Sequence, residues 1–437
     1  MTLTRTAGER LRTATRTTFG AFGVRNFRLF FTGQLISQVG NWLTSVALVL
    51  LVLHRTGSGL AVGILTATQF GPILLFGAWT GLIADRSDKR RLLLFTQSLE
   101  MLQSFALGAL AFAHDAPLLA FYAAALAGGL MLAFDMPVRR AFVAELVPEG
   151  QVHNAVTLNS ALMTGSRVVG PALAGLLVST AGYGWAFTLD ALSYVAVLVC
   201  LWRMRADELR RPPATRRARG QVRAGFRYVR SVPDLWVPLV MMTVVGILTF
   251  NFSVVVPLFV VRTLHGTDAT YTLLFSVLSL GSLVGALAAA HRRSVGIRTI
   301  AGASAGFGAA MFLLGASPNL STAFPVAFIL GIGSVTFMTL STALVQVRAD
   351  PGMRGRVIAL QSMVLMGTAP IGGPLLGWIC DAFGSRAGLA VGGLAAAGAA
   401  LWGLHATRRL QTTEAVETGA EDPHAELFEE ANAINTA

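Results

Sequence analysis

The chain has 437 residues, 54% of them hydrophobic and only 13% charged, against the roughly one quarter charged of an ordinary soluble domain. That balance excludes a water-exposed multidomain protein and points to an integral membrane protein. The formal net charge of +12, from 34 Lys and Arg against 22 Asp and Glu, would suit a nucleic-acid partner, but the basic residues mostly lie on one side of the apolar runs, as a topology signal plus one basic central loop, so no nucleic acid is expected.

In chain order, residues 1-26 carry Arg5, Arg10, Arg12 and Arg16 without an apolar stretch, and read as a basic N-terminus with no cleavable signal. Twelve apolar runs follow, centred near residues 40, 72, 103, 127, 168, 193, 248, 281, 307, 332, 369 and 396. Each approaches the roughly 20 residues that cross a ~30 Å hydrocarbon core as a helix. Six runs occupy 27-202 and six occupy 234-406; between them lies a basic linker, 203-233, whose second part has the pattern of a helix on the membrane surface. From 407 to 437 the chain is polar and acidic and is expected to be disordered. The fold class is an all-α membrane protein of two six-helix bundles.

Orientation follows from the basic residues, because an even number of spans puts both ends on one side. That side, with the 2-3, 4-5, 6-7, 8-9 and 10-11 loops, collects 29 of the 34 Lys and Arg, and the opposite side only Arg55, Arg262 and Arg386. The basic face is therefore assigned to the cytoplasm, with both termini cytoplasmic and the chain crossing the inner (plasma) membrane many times.

Taken along the chain, several residues depart from apolar filling. In the first span Gln34, Gln38, Asn41 and Ser45 fall within about 60° on a helix wheel, a polar stripe that needs water, a ligand or a polar helix contact. Between the second and third spans stands ADRSDKRR, residues 84 to 91, with six charged side chains; Lys89, the only lysine, is given no role beyond topology. Glu100 lies within the third span, Asp135 and Arg139 near the end of the fourth, and Asp190 within the sixth. In the fifth, Arg167, Gly170, Pro171, Ala174, Gly175 and Val178 recur at three and four residues and form one mostly small face, suited to close helix packing. Arg167, a charge in mid-membrane, should face a protein partner or a wet cavity, with Glu100 and Asp190 both open as partners. Cys200 and Cys380 lie in different spans near opposite ends and read as small hydrophobes. No GxxxxGK[ST] run occurs, and no cofactor or metal is expected.

The chain repeats itself. Gly170-Pro171 recurs as Gly373-Pro374 after 203 positions, and Leu158, Ser160 and Gly165 recur as Leu360, Ser362 and Gly367 after 202. Gly81 corresponds to Gly285, but Asp85 corresponds to Ala289, so one half alone keeps the full charge cluster.

GLIADRSDKRR resembles the loop 2-3 signature of the major facilitator superfamily, and SRVVGPALAG resembles the fifth-helix Gly-Pro signature of its exporters. FDMPVRRAFVAELVP, NAVTLNSALMTGSRVVGPALAG and GQLISQVGNWL are similar to the subgroup of enterobactin and macrolide exporters, over nearly the whole chain from Asn26 to about His405. Two departures stand out: Asp88 replaces the usual Gly of the loop signature, and the fourth span lacks the buried Arg of many proton-coupled drug antiporters.

The resemblance implies the major facilitator fold and alternating access, with Gly81, Asp85, Arg86, Arg90, Asp135 and Arg139 forming a conformational latch on the cytoplasmic face. Asp85 would meet the N-terminal dipole of the eleventh helix, and Arg90 would reach Asp135. It also implies a central cavity offering Gln34, Gln38, Asn41, Ser45, Tyr122 and Asn251 to a bulky amphipathic small molecule. The expected function is a secondary exporter of a drug, siderophore or secondary metabolite, coupled to protons through Glu100, Asp135 or Asp190 and working as a monomer in the bilayer. The alternatives are a non-transporting sensor or scaffold, and an uptake symporter.

Overall fold

The computed structural model describes residues 19–113, 115–210, 221–292 and 295–420, apart from a few side chains, Asp85 among them. The basic N-terminus before 19, the linker's first part and the tail beyond 420 lie outside the described residues, as does the Asp85 side chain. Among the described residues eleven helical segments are long and apolar enough to cross a membrane. These are Arg25–Thr56, Gly59–Gly77 of a helix that runs on to Arg86, Leu118–Glu145, Glu149–Ala181, Tyr183–Trp202, Pro233–Thr263, Asp268–Ala290, Ile297–Ala316, Leu320–Arg348, Arg354–Phe383 and Ser385–Arg408. One further helix, Lys89–Phe112, packs against the fourth and sixth spans and fills the third place. Its apolar character is diluted by Gln97, Glu100 and Gln103. The count is consistent with twelve.

Local chemistry sets the joints. Gly57 ends the first helix in the left-handed region at φ 59°, a conformation cheap only for glycine. Ser58 Oγ accepts from Ala61 N at 3.3 Å and starts the second helix, and Asp88 caps the third through Arg91 N at 3.1 Å; these side chains satisfy N–H groups that have no intrahelical partner. Gly182 and Gly384, at φ 86° and 88°, separate the fifth from the sixth span and the eleventh from the twelfth. They stand 202 positions apart in the sequence, the offset of the internal repeat.

Two helices of the second half are interrupted. The seventh runs as Pro233–Leu248 and Phe252–Leu258, followed by a π-helical turn, Phe259–Thr263. The eleventh divides at Thr368, before Pro370, into Arg354–Gly367 and Ala369–Phe383. The last helix continues to Ala420, past the boundary that composition suggests at 406, because extending a formed helix costs less than nucleating one.

Within the first half the first and third helices pack on the sixth, and the second and third on the fourth; within the second half the eighth and ninth pack on the tenth, and the seventh and ninth on the twelfth. The halves meet along two seams, second against eleventh and fifth against eighth. The linker helix, Gln221–Ser231, lies on the second half, where Tyr228 Oη accepts from Asp350 N at 3.1 Å.

Candidate functional site

The third helix presents Thr96, Gln97, Glu100 and Ser104, three and four residues apart, to the interior of the first half. Gln97 Nε2 donates to Glu100 Oε2 at 2.9 Å and to Asp135 Oδ1 at 2.8 Å. Asp135, fully buried, pairs with Arg139 one turn further along the fourth helix. A second group surrounds Asp190 on the sixth helix, which accepts from Thr44 at 2.6 Å and Ser104 at 2.8 Å. Gly40 makes room for it: a Cβ there would meet Asp190 Oδ1 at 2.5 Å. Tyr194 Oη donates to Asn41 Oδ1 at 2.9 Å. Four helices thus share one polar core holding three buried carboxylates, Glu100, Asp135 and Asp190, and one buried guanidinium, Arg139.

The charges of the loop 2-3 region lie differently from what the family resemblance implies. Arg90 donates to the carbonyls of Leu201 and Trp202, each at 2.8 Å, so it closes the end of the sixth helix and does not reach Asp135. The free carbonyls at a helix C-terminus attract a cation, and Asp135 already has Arg139. Lys89 is more than a topology signal. It pairs with Glu145 at 2.6 Å, with the two side chains only 10% and 3% exposed. Arg86 is exposed and Gly81 half-buried.

On the fifth helix Gly170 lies against Trp42 of the first, where an added Cβ would meet Cδ1 at 2.9 Å, and Gly175 against Thr272 of the eighth, with Cβ at 2.8 Å. Pro171 is buried beside them. Neither open partner pairs with Arg167: Glu100 is held by Gln97, and Asp190 by Thr44 and Ser104. The Arg167 Nε has neither solvent exposure nor a hydrogen-bond partner. Of the expected cavity residues, Gln34 and Gln38 are buried, with Gln34 Oε1 unpartnered; Asn41 is tied to Tyr194, and Ser45 is exposed. Tyr122 Oη is spent on Ala61 O at 3.0 Å, joining the fourth helix to the second. Asn251 Nδ2 donates to Ile247 O at 2.8 Å and closes the break in the seventh, which leaves its Oδ1 orphaned.

The residues that sequence reading misses lie at the face opposite the basic one. Asp381, at the end of the eleventh helix, accepts from Ser58 Oγ at 2.8 Å, Gly59 N at 2.7 Å and Leu60 N at 2.9 Å, all at the start of the second. Arg262 pairs with Asp381 at 2.8 Å and also donates to Gly57 O. Asp268 accepts from Tyr183 Oη at 3.2 Å and lies 2.7 Å from His54 Nε2. Every one of these contacts but the Arg262–Asp381 pair crosses between the halves. The available signal was Arg262, one of three basic residues on a side otherwise without them. Two ion pairs at the basic face, Lys89–Glu145 and Arg348–Asp234, each stay inside one half. Among the described residues no three His, Cys, Asp or Glu side chains are grouped to hold a metal ion.

Residues 16–433 match the profile of a family described as transmembrane secretion effector. A staphyloferrin A transporter of Staphylococcus aureus is 31% identical over 176 residues, which is 40% of this chain and 44% of that protein. Macrolide efflux protein A of Streptococcus pyogenes is 22% identical over 82% of this chain and 90% of its own length. Among solved structures, a bacterial homologue of the lysosomal transporter Spinster, inward-facing and occupied, superposes with a TM-score of 0.70 at 14% identity, over 87% of this chain and 96% of the other.

Proposed function

We propose that this chain, which belongs to the transmembrane secretion effector family of major facilitator transporters, exports a bulky amphipathic small molecule by proton antiport. The family and its relatives are transporters and not enzymes. What carries the coupling reading is the charge balance of the polar core, three buried carboxylates against one buried guanidinium. Uncompensated charge is costly away from water, and a proton is the smallest ion that can balance the excess. The hydrogen bonds through Gln97 place Glu100 and Asp135 in one network, while Asp190 draws on the third helix through Ser104 and on the first through Thr44. Proton uptake there changes the packing of helices that must move as a body, which is how binding of an ion biases one state over another.

The basic face is assigned to the cytoplasm, so the ties at Asp381 and Asp268 close the outer side and the conformation is inward-facing. Asp85, Asp135 and the surrounding basic residues remain the proposed latch of the cytoplasmic face in the opposite state. Release of compounds by cells with and without this chain, compared by mass spectrometry, tests the export reading; identical profiles would overturn it. With the exported compound in hand, liposomes given a pH step should accumulate it against its gradient. Glu100→Gln or Asp190→Asn should uncouple that movement, and full coupling in both variants and in the double variant would move the proton site to Asp135.

A further inference from the structure

The fifth helix carries a polar line that the coupling network does not use. Thr157, Ser160 and Thr164 lie within about 80° of Arg167 on the helix wheel, and they run from the basic end of the helix towards it. Thr157 and Ser160 are exposed and Thr164 half-buried, and each hydroxyl donates to the carbonyl four residues earlier, at 2.8 to 2.9 Å, leaving its lone pairs outward. Together they make a polar line on the surface of an otherwise apolar helix, with acceptor lone pairs open to water or a ligand.

The line leads to a cation. Arg167 is half-buried and has no carboxylate partner among the described residues, and its Nε has neither solvent exposure nor a hydrogen bond. The buried acids among the described residues of the same half are engaged elsewhere, Asp135 with Arg139, Glu100 with Gln97, Asp190 with Thr44 and Ser104, and Glu145 with Lys89. The first and fifth helices run parallel, and the contact of Gly170 with Trp42 sets their register. One turn towards the basic face, Gln38 therefore shares the level of Arg167. On the other side Trp42 packs at a tilt against Phe275 of the eighth helix, with ring centroids 5.8 Å apart, so an apolar wall stands just beyond the charge. An unpaired guanidinium in such a place is costly unless an anion visits it.

We propose that Arg167 is an anion-binding subsite: it takes a carboxylate, sulfonate or phosphate group of an amphipathic molecule whose apolar body lies against Trp42 and Phe275, reached from the basic face along Thr157, Ser160 and Thr164. That this molecule is the exported cargo rests on the export reading; the site itself does not.

Equilibrium binding to the purified full chain in phosphatidylcholine nanodiscs, corrected for empty discs, decides the matter with two matched probes, anionic 1-anilinonaphthalene-8-sulfonate and uncharged N-phenyl-1-naphthylamine. The wild type should prefer the sulfonate. Arg167→Gln should lose that preference, a weakening of about tenfold or ~1.4 kcal/mol, while Arg167→Lys, which keeps the charge without the planar fork, should retain part of it. A wild type with no preference for the anion overturns the proposal, and so does a Gln variant that elutes like the wild type and binds the sulfonate equally well. If the Gln variant does not fold, the wild-type comparison and the Lys variant still decide. No gradient enters the measurement, so a chain that binds the anion and exports nothing would count against the export reading alone.

Discussion

The third helix of the first half buries Thr96, Gln97, Glu100 and Ser104, whereas the ninth, in the matching place of the second half, buries Ser304 as its one polar side chain, donating to Ala396 O at 2.8 Å. The helices of the two halves differ in the opposite sense. The first and fifth run unbroken for 32 and 30 residues, while the seventh and eleventh are interrupted at Thr249–Asn251 and at Thr368. The interruptions meet, since a Cβ at Gly246 would lie 2.8 Å from Thr368 Oγ1. One repeat therefore concentrates buried charge in unbroken helices, and the other places its helix interruptions in a bundle with no buried charge among the described residues. Under the proposed function a duplicated fold can divide its labour this way, because a rocking cycle driven by an ion needs a group that senses the ion and a place that bends, and need not have both in each half.

The division can be attacked most directly at Asp135 and Arg139. Arg139→Ala leaves the buried Asp135 carboxylate without its cation and should cost about 3–5 kcal/mol of stability, read as a large fall in the thermal unfolding midpoint of the purified chain. Replacing both members by apolar residues should recover much of it. Ser304→Ala, at the matching place, should cost only about 1 kcal/mol; equal losses at the two sites would break the comparison. Lys89→Gln follows, near the lower end of the same range at about 3 kcal/mol, because its pair with Glu145 is slightly more open.

The seams come next. A Cβ at Gly63 would stand 2.6 Å from Pro374 Cα, which is backbone and cannot rotate away, so Gly63→Ala should cost about 1–3 kcal/mol by overpacking and slow transport. At Gly175 the obstacle is the Thr272 side chain, so Gly175→Ala should be largely rescued by Thr272→Ala; a rescue that fails would place the strain in the backbone there too.

The smallest effects concern the two faces. Asp381→Asn weakens a carboxylate at a helix N-terminus, a contact worth about 0.3–2 kcal/mol, or roughly a two- to thirty-fold shift between states. A cysteine placed near the end of the first span, in a chain lacking Cys200 and Cys380, should label faster in that variant. Asp85→Asn should shift the population the other way, and parallel shifts would refute a latch at opposite faces.

Much of this plan is readable from periodicity. Apolar runs and the Gly170-Pro171 repeat reveal the spans and the halves, because lipid imposes one length and close packing imposes small residues. The partners of the charges are not readable. Arg90 and Lys89 stand next to each other in sequence, yet one closes the sixth helix and the other pairs with Glu145, a choice made by where two distant helix ends arrive. Asp190 shows the same limit: its depth was legible, but its partners Thr44 and Ser104 come from two other helices. Asp381 carried no periodic signal at all, being a single acid at the end of an apolar run.

The tie at Asp381 sits where water can reach it, with its side chain 27% exposed and that of Arg262 30% exposed. In the proposed cycle the halves part there: Gly59 N, Leu60 N and the Ser58 hydroxyl would exchange the carboxylate for solvent, and the second helix would keep its own cap through Ser58 and Ala61. Such an exchange changes the free energy by only about 0.5–1.5 kcal/mol per hydrogen bond. A closure made of replaceable polar contacts is reversible on every turnover, whereas an apolar plug of the same area would have to be wetted each time it opened.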